Sequence, residues 1–206
     1  MLEGLKITLS VFFLILIISI PLGIIIAFLR LSKNKIISQI SNIYILIMRG
    51  TPLLLQLIFV FFGLPLVGVV FSRFDAAIIA FSLNYAAYFA EVFRGGIESI
   101  EKGQYEASYV LGFNKFIMYK KIILPQVIKR ILPAMSNEVI TLIKDTAIVY
   151  TIGLNDILRI AQIEQNQQVS IIPLIEAGII YLLLIGILTL IFTITGVIIS
   201  IISLNK

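Results

Sequence analysis

Three long stretches of this chain carry no charge: Ile7 to Leu29 over 23 residues, Gly50 to Ser72 over another 23, and Ala177 to Leu204 over 28. A helix rises about 1.5 Å per residue, so about 20 apolar residues cross a hydrocarbon core of roughly 30 Å. Each run is long enough. A shorter uncharged run, Ala76 to Ala90, is extended by apolar neighbours, and a weaker block from Ile131 to Leu154 is interrupted by Glu138, Lys144 and Asp145. The pattern predicts an all-α integral membrane protein, one transmembrane domain over 1–206. It has about five transmembrane helices, near 7–30, 50–72, 74–94, 131–154 and 175–204.

Composition agrees. Only 13 % of residues are charged, where a soluble domain keeps roughly a quarter. The sequence has no Cys and no His, which excludes disulfides, thiolate or imidazole metal ligands and His-based acid–base chemistry, so no metal site is expected. The first block is too long for a signal-peptide core of about 7–15 residues, and no A-x-A-like site follows it. It is kept as a span. The net charge of +5 raises nucleic acid as a partner, but the placement of the charge argues for lipid instead. Segments 30–49 and 91–130 and the C-terminal Lys206 fall on one side of a five-span chain and hold twelve of the sixteen cations. The positive-inside rule then puts the N-terminus outside and the C-terminus in the cytoplasm.

No internal repeat is visible, which weakens an inverted-repeat secondary transporter. Gly63-Leu-Pro65 and Gly68 supply a turn between the second and third spans. A cytoplasmic loop is expected over 95–130, opening on Gly95-Gly96, a pair able to end a helix. Tyr105, Tyr109, Phe113, Phe116 and Ile117 then recur at roughly helical spacing among charges. Periodicity alone fits a basic amphipathic helix on an anionic lipid surface.

The residues of that loop say more. From Glu106 to Pro125 the sequence runs EASYVLGFNKFIMYKKIILP. It resembles the EAA loop of bacterial ATP-binding-cassette importer permeases: E-A-A, three residues, Gly, nine residues, I-x-L-P. Every spacing matches, with Ser108 in place of the second Ala. The resemblance implies a short coupling helix between spans three and four, at about 101–118, that docks in a groove of a cytoplasmic ATPase. Glu106, Ala107, Ser108, Gly112 and Pro125 are then its coupling residues. Ala107 and Ser108 allow close backbone approach, Gly112 a bend, and Pro125 a break before the next helix. RGTPLLLQ from Arg49 to Gln56, FGLP at 62–65, AEVFRGGIESIEKGQYEAS from Ala90 to Ser108 and LPAMSNEVITLIKDTA from Leu132 to Ala147 look like the polar amino acid uptake family, with its histidine-, arginine- and glutamine-type permeases. That likeness makes amino-acid uptake across the bacterial inner membrane the leading expectation.

No G-x-x-x-x-G-K-[ST] occurs, so no phosphate cradle is encoded and the chain is not expected to be an enzyme. Energy must come from a partner. By resemblance the partners are ATP-binding-cassette ATPase subunits that hold ATP and Mg, a second permease subunit (a homodimer is favoured, though a different permease is allowed), and an extracytoplasmic solute-binding protein. The competing class is an ion-coupled secondary transporter or channel without an ATPase, for which Glu138, Lys144 and Asp145 would suit a proton relay.

Ionisable and polar groups at membrane depth are the candidates for solute contact. Asn84 and Tyr85 fall in the third span, where Asn84 serves either the solute or an interhelical hydrogen bond. Glu138 is expected to pair with Arg94 or Arg130, and Lys144-Asp145 to form either an internal ion pair or a gate. In the outer segment Asn155 to Gln168, Asp156 and Arg159 are helical neighbours, and Glu164 lies about two turns on. Two carboxylates suit a guanidinium, and Arg159 suits a solute carboxylate. Asn84, Tyr85, Asp156, Arg159 and Glu164 are therefore expected to line a site for a basic amino acid, the alternative being a solvated external loop.

Overall fold

The computed structural model describes residues 1–204, with the side chains of the last few left aside. Lys206, counted above among the cations of the C-terminal side, lies outside the described residues. The described residues form nine α-helices and no strand: α1 (Leu2–Arg30), α2 (Lys35–Gly50), α3 (Leu53–Ile58), α4 (Arg73–Glu98), α5 (Lys102–Val110), α6 (Lys115–Met118), α7 (Leu124–Asp145), α8 (Ile157–Gln168) and α9 (Ile172–Leu204). The all-helical expectation holds. Among these, α1, α4 and α9 are long and apolar enough to cross a membrane; α2 with α3 and its extension to Val67 form a pair bent by 102°, apolar enough together for a broken span or a re-entrant loop.

Helix α4 is the axis of the bundle. Ser72 caps it, its hydroxyl accepting from the Asp75 N–H at 3.1 Å, which supplies one of the first-turn donors a helix leaves orphaned. Ala76, Ala77, Ala80, Ala86, Ala87 and Ala90 are buried along it; small side chains let neighbouring backbones come close, which is how helices associate where lipid offers no hydrophobic drive. α1 lies alongside with its own line of buried residues, Thr8, Val11, Phe12, Ile15, Ser19, Gly23 and Ala27. Of the most apolar 18-residue window, 61 % is buried in α4 and none in α9. So α9 presents its Leu and Ile side chains outward, as a helix solvated by lipid does.

Two boundaries differ from the sequence reading. The segment 30–49, expected as a loop, is largely helix α2: Asn34 caps it by accepting from the Ile36 and Ile37 N–H groups at 2.9 and 3.4 Å. Its charged and polar residues had broken the uncharged run by which spans were recognised. The crossing expected at 50–72 thus begins near Lys35 and turns sharply at Thr51-Pro52, because Pro52 cannot donate to Met48 and the ladder breaks. Second, Gly95-Gly96 does not end a helix; α4 runs on to Glu98. Gly96 is there for closeness, since a Cβ on it would lie 2.1 Å from Ile131 Cγ2 of α7.

Pro125 also acts differently from a simple break. It sits in the first turn of α7, where its missing N–H costs nothing. Just before it the chain widens into a π-turn over Tyr119–Ile123, with the Leu124 N–H reaching back to the Tyr119 carbonyl. The proline ring excludes the ordinary bond to Lys121, and the wider turn absorbs the register.

Candidate functional site

Around the bend of α2 into α3, buried polar groups meet. The Met48 carbonyl, left without its Pro52 donor, accepts from Asn84 Nδ2 at 2.8 Å and Gln56 Nε2 at 3.0 Å. The other hydrogen of the Asn84 amide goes to Gln56 Oε1 at 3.1 Å. Both amide hydrogens are spent on the break in the neighbouring helix. Of the two roles open to Asn84, the interhelical hydrogen bond is the one the geometry fills. Tyr85, one residue on, donates its hydroxyl to Asp145 Oδ2 at 2.7 Å and ties α4 to the end of α7.

Beside these groups lies a cavity of about 510 Å³, lined by Arg49, Thr51, Asn84, Tyr85, Tyr88, Glu138, Thr141 and Asp145 among others. It brings two carboxylates, one guanidinium and two phenols to one space. Glu138 makes no ion pair among the described residues, contrary to the pairing expected for it. Arg94 is occupied by Glu91, in a bidentate contact at 2.8 and 2.7 Å, and by Glu98 at 2.5 Å; Arg130 donates to the Ser99 carbonyl. Of the two readings of Lys144-Asp145, an ion pair or a gate, the ion pair is not formed among the described residues; Asp145 accepts the Tyr85 hydroxyl.

The outer candidates are elsewhere and employed differently. Asp156 is fully buried and caps α8: Oδ1 accepts from the Arg159 N–H at 3.0 Å and Oδ2 from the Leu158 N–H at 3.1 Å. The Tyr181 hydroxyl adds a contact to Oδ2 at 3.4 Å. Burial pushes this carboxyl up from its ordinary value, against the pull of those hydrogen bonds. The Arg159 guanidinium bonds Asn155 Oδ1 at 3.1 Å and the Tyr150 carbonyl at 3.3 Å. Glu164 lies 3.5 Å from the Met1 amino group. Asp156, Arg159 and Glu164 therefore do not join Asn84 and Tyr85 around the cavity. Arg49, Glu138 and Asp145 do; the sequence offers a signal for the two carboxylates in their charge at membrane depth, whereas Arg49 counts among the cations of the 30–49 segment.

The segment between α4 and α7 has a held side and a free side. Tyr105 packs against the cluster of Ile100, Met118, Ile123, Val127 and Ile131 and meets the Tyr119 ring edge-on at 6.3 Å. Ser108 is buried, its hydroxyl donating to the Gln104 carbonyl at 2.6 Å. At Gly112 the backbone turns left-handed, φ +73°; the Phe113 N–H reaches the Ser108 carbonyl at 3.1 Å and the Gly112 N–H the Tyr109 carbonyl at 3.0 Å. That is a Schellman ending, for which glycine is the favoured residue. Glu106 and Ala107 are exposed, and so are Tyr109, Val110 (88 %), Leu111 and Phe116. Val110 is more bare than almost any apolar residue here, and it sits on a charged segment rather than a lipid-facing span, the mark of a contact surface.

Comparison with known proteins resolves what kind of molecule this is. Residues 19–202 match the family described as binding-protein-dependent transport system inner membrane component. The chain belongs to that family. This permease is 46 % identical over 192 residues to the arginine transport system permease protein ArtQ of Bacillus subtilis (strain 168), covering 92 % of this chain and 88 % of that protein. It is similar to the crystal structure of an amino acid ABC transporter with histidines, at TM-score 0.88 and 36 % identity, covering 95 % of this chain and 92 % of that one. A chain of the MetNI methionine ABC transporter, at TM-score 0.76 and 19 % identity over 96 % of this chain and 95 % of its own, shares the fold. The permease is thus the non-enzymatic membrane component of an ATP-binding-cassette importer, a multi-pass inner-membrane protein whose ATPase is a separate chain. Importers of this family also work with a solute-binding protein.

Proposed function

We propose that this permease carries a basic amino acid inward, driven by an ATPase that docks on α5. The observation that carries the reading is the division of the 102–118 segment: Tyr105 and Ser108 fix one side to the bundle, while Glu106, Tyr109, Val110 and Leu111 are left bare beside the left-handed turn at Gly112. A rigidly anchored lever with an open face is what a partner can push. ATP and Mg bind on that partner, and ATP-driven closure there shifts α5 and, through the Tyr105 cluster and α7, the pathway.

The solute site of this proposal is the cavity on the Asn84 side of the bend. Glu138 and Asp145 offer carboxylates to a cationic side chain, and Arg49 offers a fork to the α-carboxylate. Asn84 and Tyr85 support the walls, while Asp156, Arg159 and Glu164 hold the outer scaffold. The names of an arginine permease and of a transporter solved with histidines are in keeping with a basic solute. In this reading the chain crosses five times, counting α7, with the N-terminus outside and α5 in the cytoplasm. Two copies surround the path, since one five-helix chain leaves the cavity open.

The test uses the complete importer in liposomes. With Gly112→Arg, basal ATPase activity should persist while its stimulation by loaded binding protein and the uptake of labelled arginine both collapse. Glu138→Gln with Asp145→Asn should abolish arginine uptake while sparing docking of the ATPase. Undiminished coupling in the first variant sinks the lever, and undiminished arginine uptake in the second removes the basic-solute site.

A further inference from the structure

The cavity that holds Glu138 and Asp145 shares a wall with another. Arg49, Gly50 and Tyr88 line both. The second cavity, about 390 Å³, is also lined by Arg30, Asn42 and Glu91. Its charge is unbalanced. Glu91 is the one carboxylate among its described lining residues, and both of its oxygens are held by Arg94 at 2.8 and 2.7 Å. Arg49 forms a long ion pair with Glu91 at 3.8 Å, without a hydrogen bond. Its guanidinium lies over the Tyr88 ring, 5.1 Å from the centroid. Among the described residues it makes no hydrogen bond. Arg30 gives Nη1 to Ser38 Oγ at 2.9 Å, while its Nε is buried with no partner.

Each guanidinium carries five N–H donors in a planar fork. Two of them, from α1 and α2, line one space with most of those donors unspent. The group that satisfies such forks is a planar anion with paired oxygens, a carboxylate. We propose that this cavity is a second solute subsite, which receives the α-carboxylate of the amino acid on its way out of the inner cavity, with Arg49 shared by the two. The proposal rests on the amino-acid reading above. Because Arg49 belongs to both walls, the carboxylate changes chamber without first giving up its counter-charge. Stacking on Tyr88 keeps the fork at that wall, and because the hydrogen bonds of Glu91 go to Arg94, its longer ion pair with Arg49 leaves the Arg49 N–H donors open to a second anion.

The experiment is equilibrium binding of labelled arginine to the complete importer in phosphatidylcholine nanodiscs, without nucleotide or binding protein. Two classes of site per permease chain are expected. Arg30→Gln, which lies outside the inner cavity, should weaken one class about tenfold or more and leave the other intact; the surviving class also reports that the variant is folded. Asn42→Asp, which adds negative charge beside the forks, should weaken the same class. Agmatine, which is arginine without its carboxylate, should compete only for the class that Arg30→Gln spares. A single class in the unaltered importer, two classes indifferent to both substitutions, or agmatine displacing arginine from both overturns the second subsite and leaves the permease reading standing. Complete absence of arginine binding removes the second subsite and the basic-solute reading together. Loss of the second class in phosphatidylglycerol discs assigns the cavity to a lipid headgroup and overturns the proposal as well.

Discussion

Asp156 shows how one short sequence pattern can mean two different things. An Asp three residues before an Arg describes a pair of neighbouring charges on a helix, and equally a capping residue whose carboxylate accepts from the N–H three positions on. The neighbours are real, but Asp156 meets the main chain of Arg159, not its guanidinium. The side chain was legible as a helix-start signal and illegible as buried, because burial came from Gly4 of α1 and Tyr181 of α9, far away in sequence. The consequence can be measured. Asp156→Ala should lower stability by about 1–2 kcal/mol through loss of the cap, seen as a lowered midpoint of thermal unfolding in detergent. Asp156→Asn, which keeps one acceptor, should lose less. Neither, nor Glu164→Gln, should change the affinity for arginine by more than about twofold; a larger effect returns these residues to the solute site.

The broken crossing is the element on which the site depends. Pro52 removes a donor, and the orphaned Met48 carbonyl recruits Asn84 and Gln56 from two helices. An unpaired buried carbonyl costs on the order of 1–3 kcal/mol, more than an average hydrogen bond gains. Asn84→Leu alone should therefore be mild, because Gln56 still serves the carbonyl. Combined with Gln56→Leu it should cost more than the two single losses added together. Additivity in a double-mutant cycle, read from denaturation in detergent, rules out the shared-carbonyl account. Gly112 is the other decisive single position among the elements. Gly112→Ala at φ +73° should destabilise the α5 ending by about 1 kcal/mol, visible as faster proteolysis around residues 110–114 with the bundle otherwise resistant.

At the scale of the molecule, the proposed orientation puts most of the cations on the α5 side of the membrane and the α8 segment on the other. This predicts sidedness. The chain has no Cys, so single-cysteine variants report cleanly. Val169→Cys, at a position 93 % exposed, should react with a membrane-impermeant maleimide added to whole cells. Lys121→Cys should react only after the membrane is breached. The opposite pattern inverts the proposed orientation. The same scale explains the roles of α4 and α9, which hydropathy alone ranks the wrong way round: the more apolar helix is the one left outside, because lipid is as good a solvent for Leu and Ile as a protein core.

By itself the sequence determined the solvent of the chain, its helical class, its lack of a Walker-type nucleotide motif and the place of the motif that resembles the EAA loop. Those follow from local properties: runs without charge, a spacing of Gly and Pro, the absence of a motif. Only the tertiary structure decided that α2 is a helix, that Asn84 braces a neighbour, that Asp156 is a cap, and that Arg49 stands between two cavities. Each of those depends on what a distant stretch of chain brings within about 3–5 Å, and no spacing along the sequence encodes that distance.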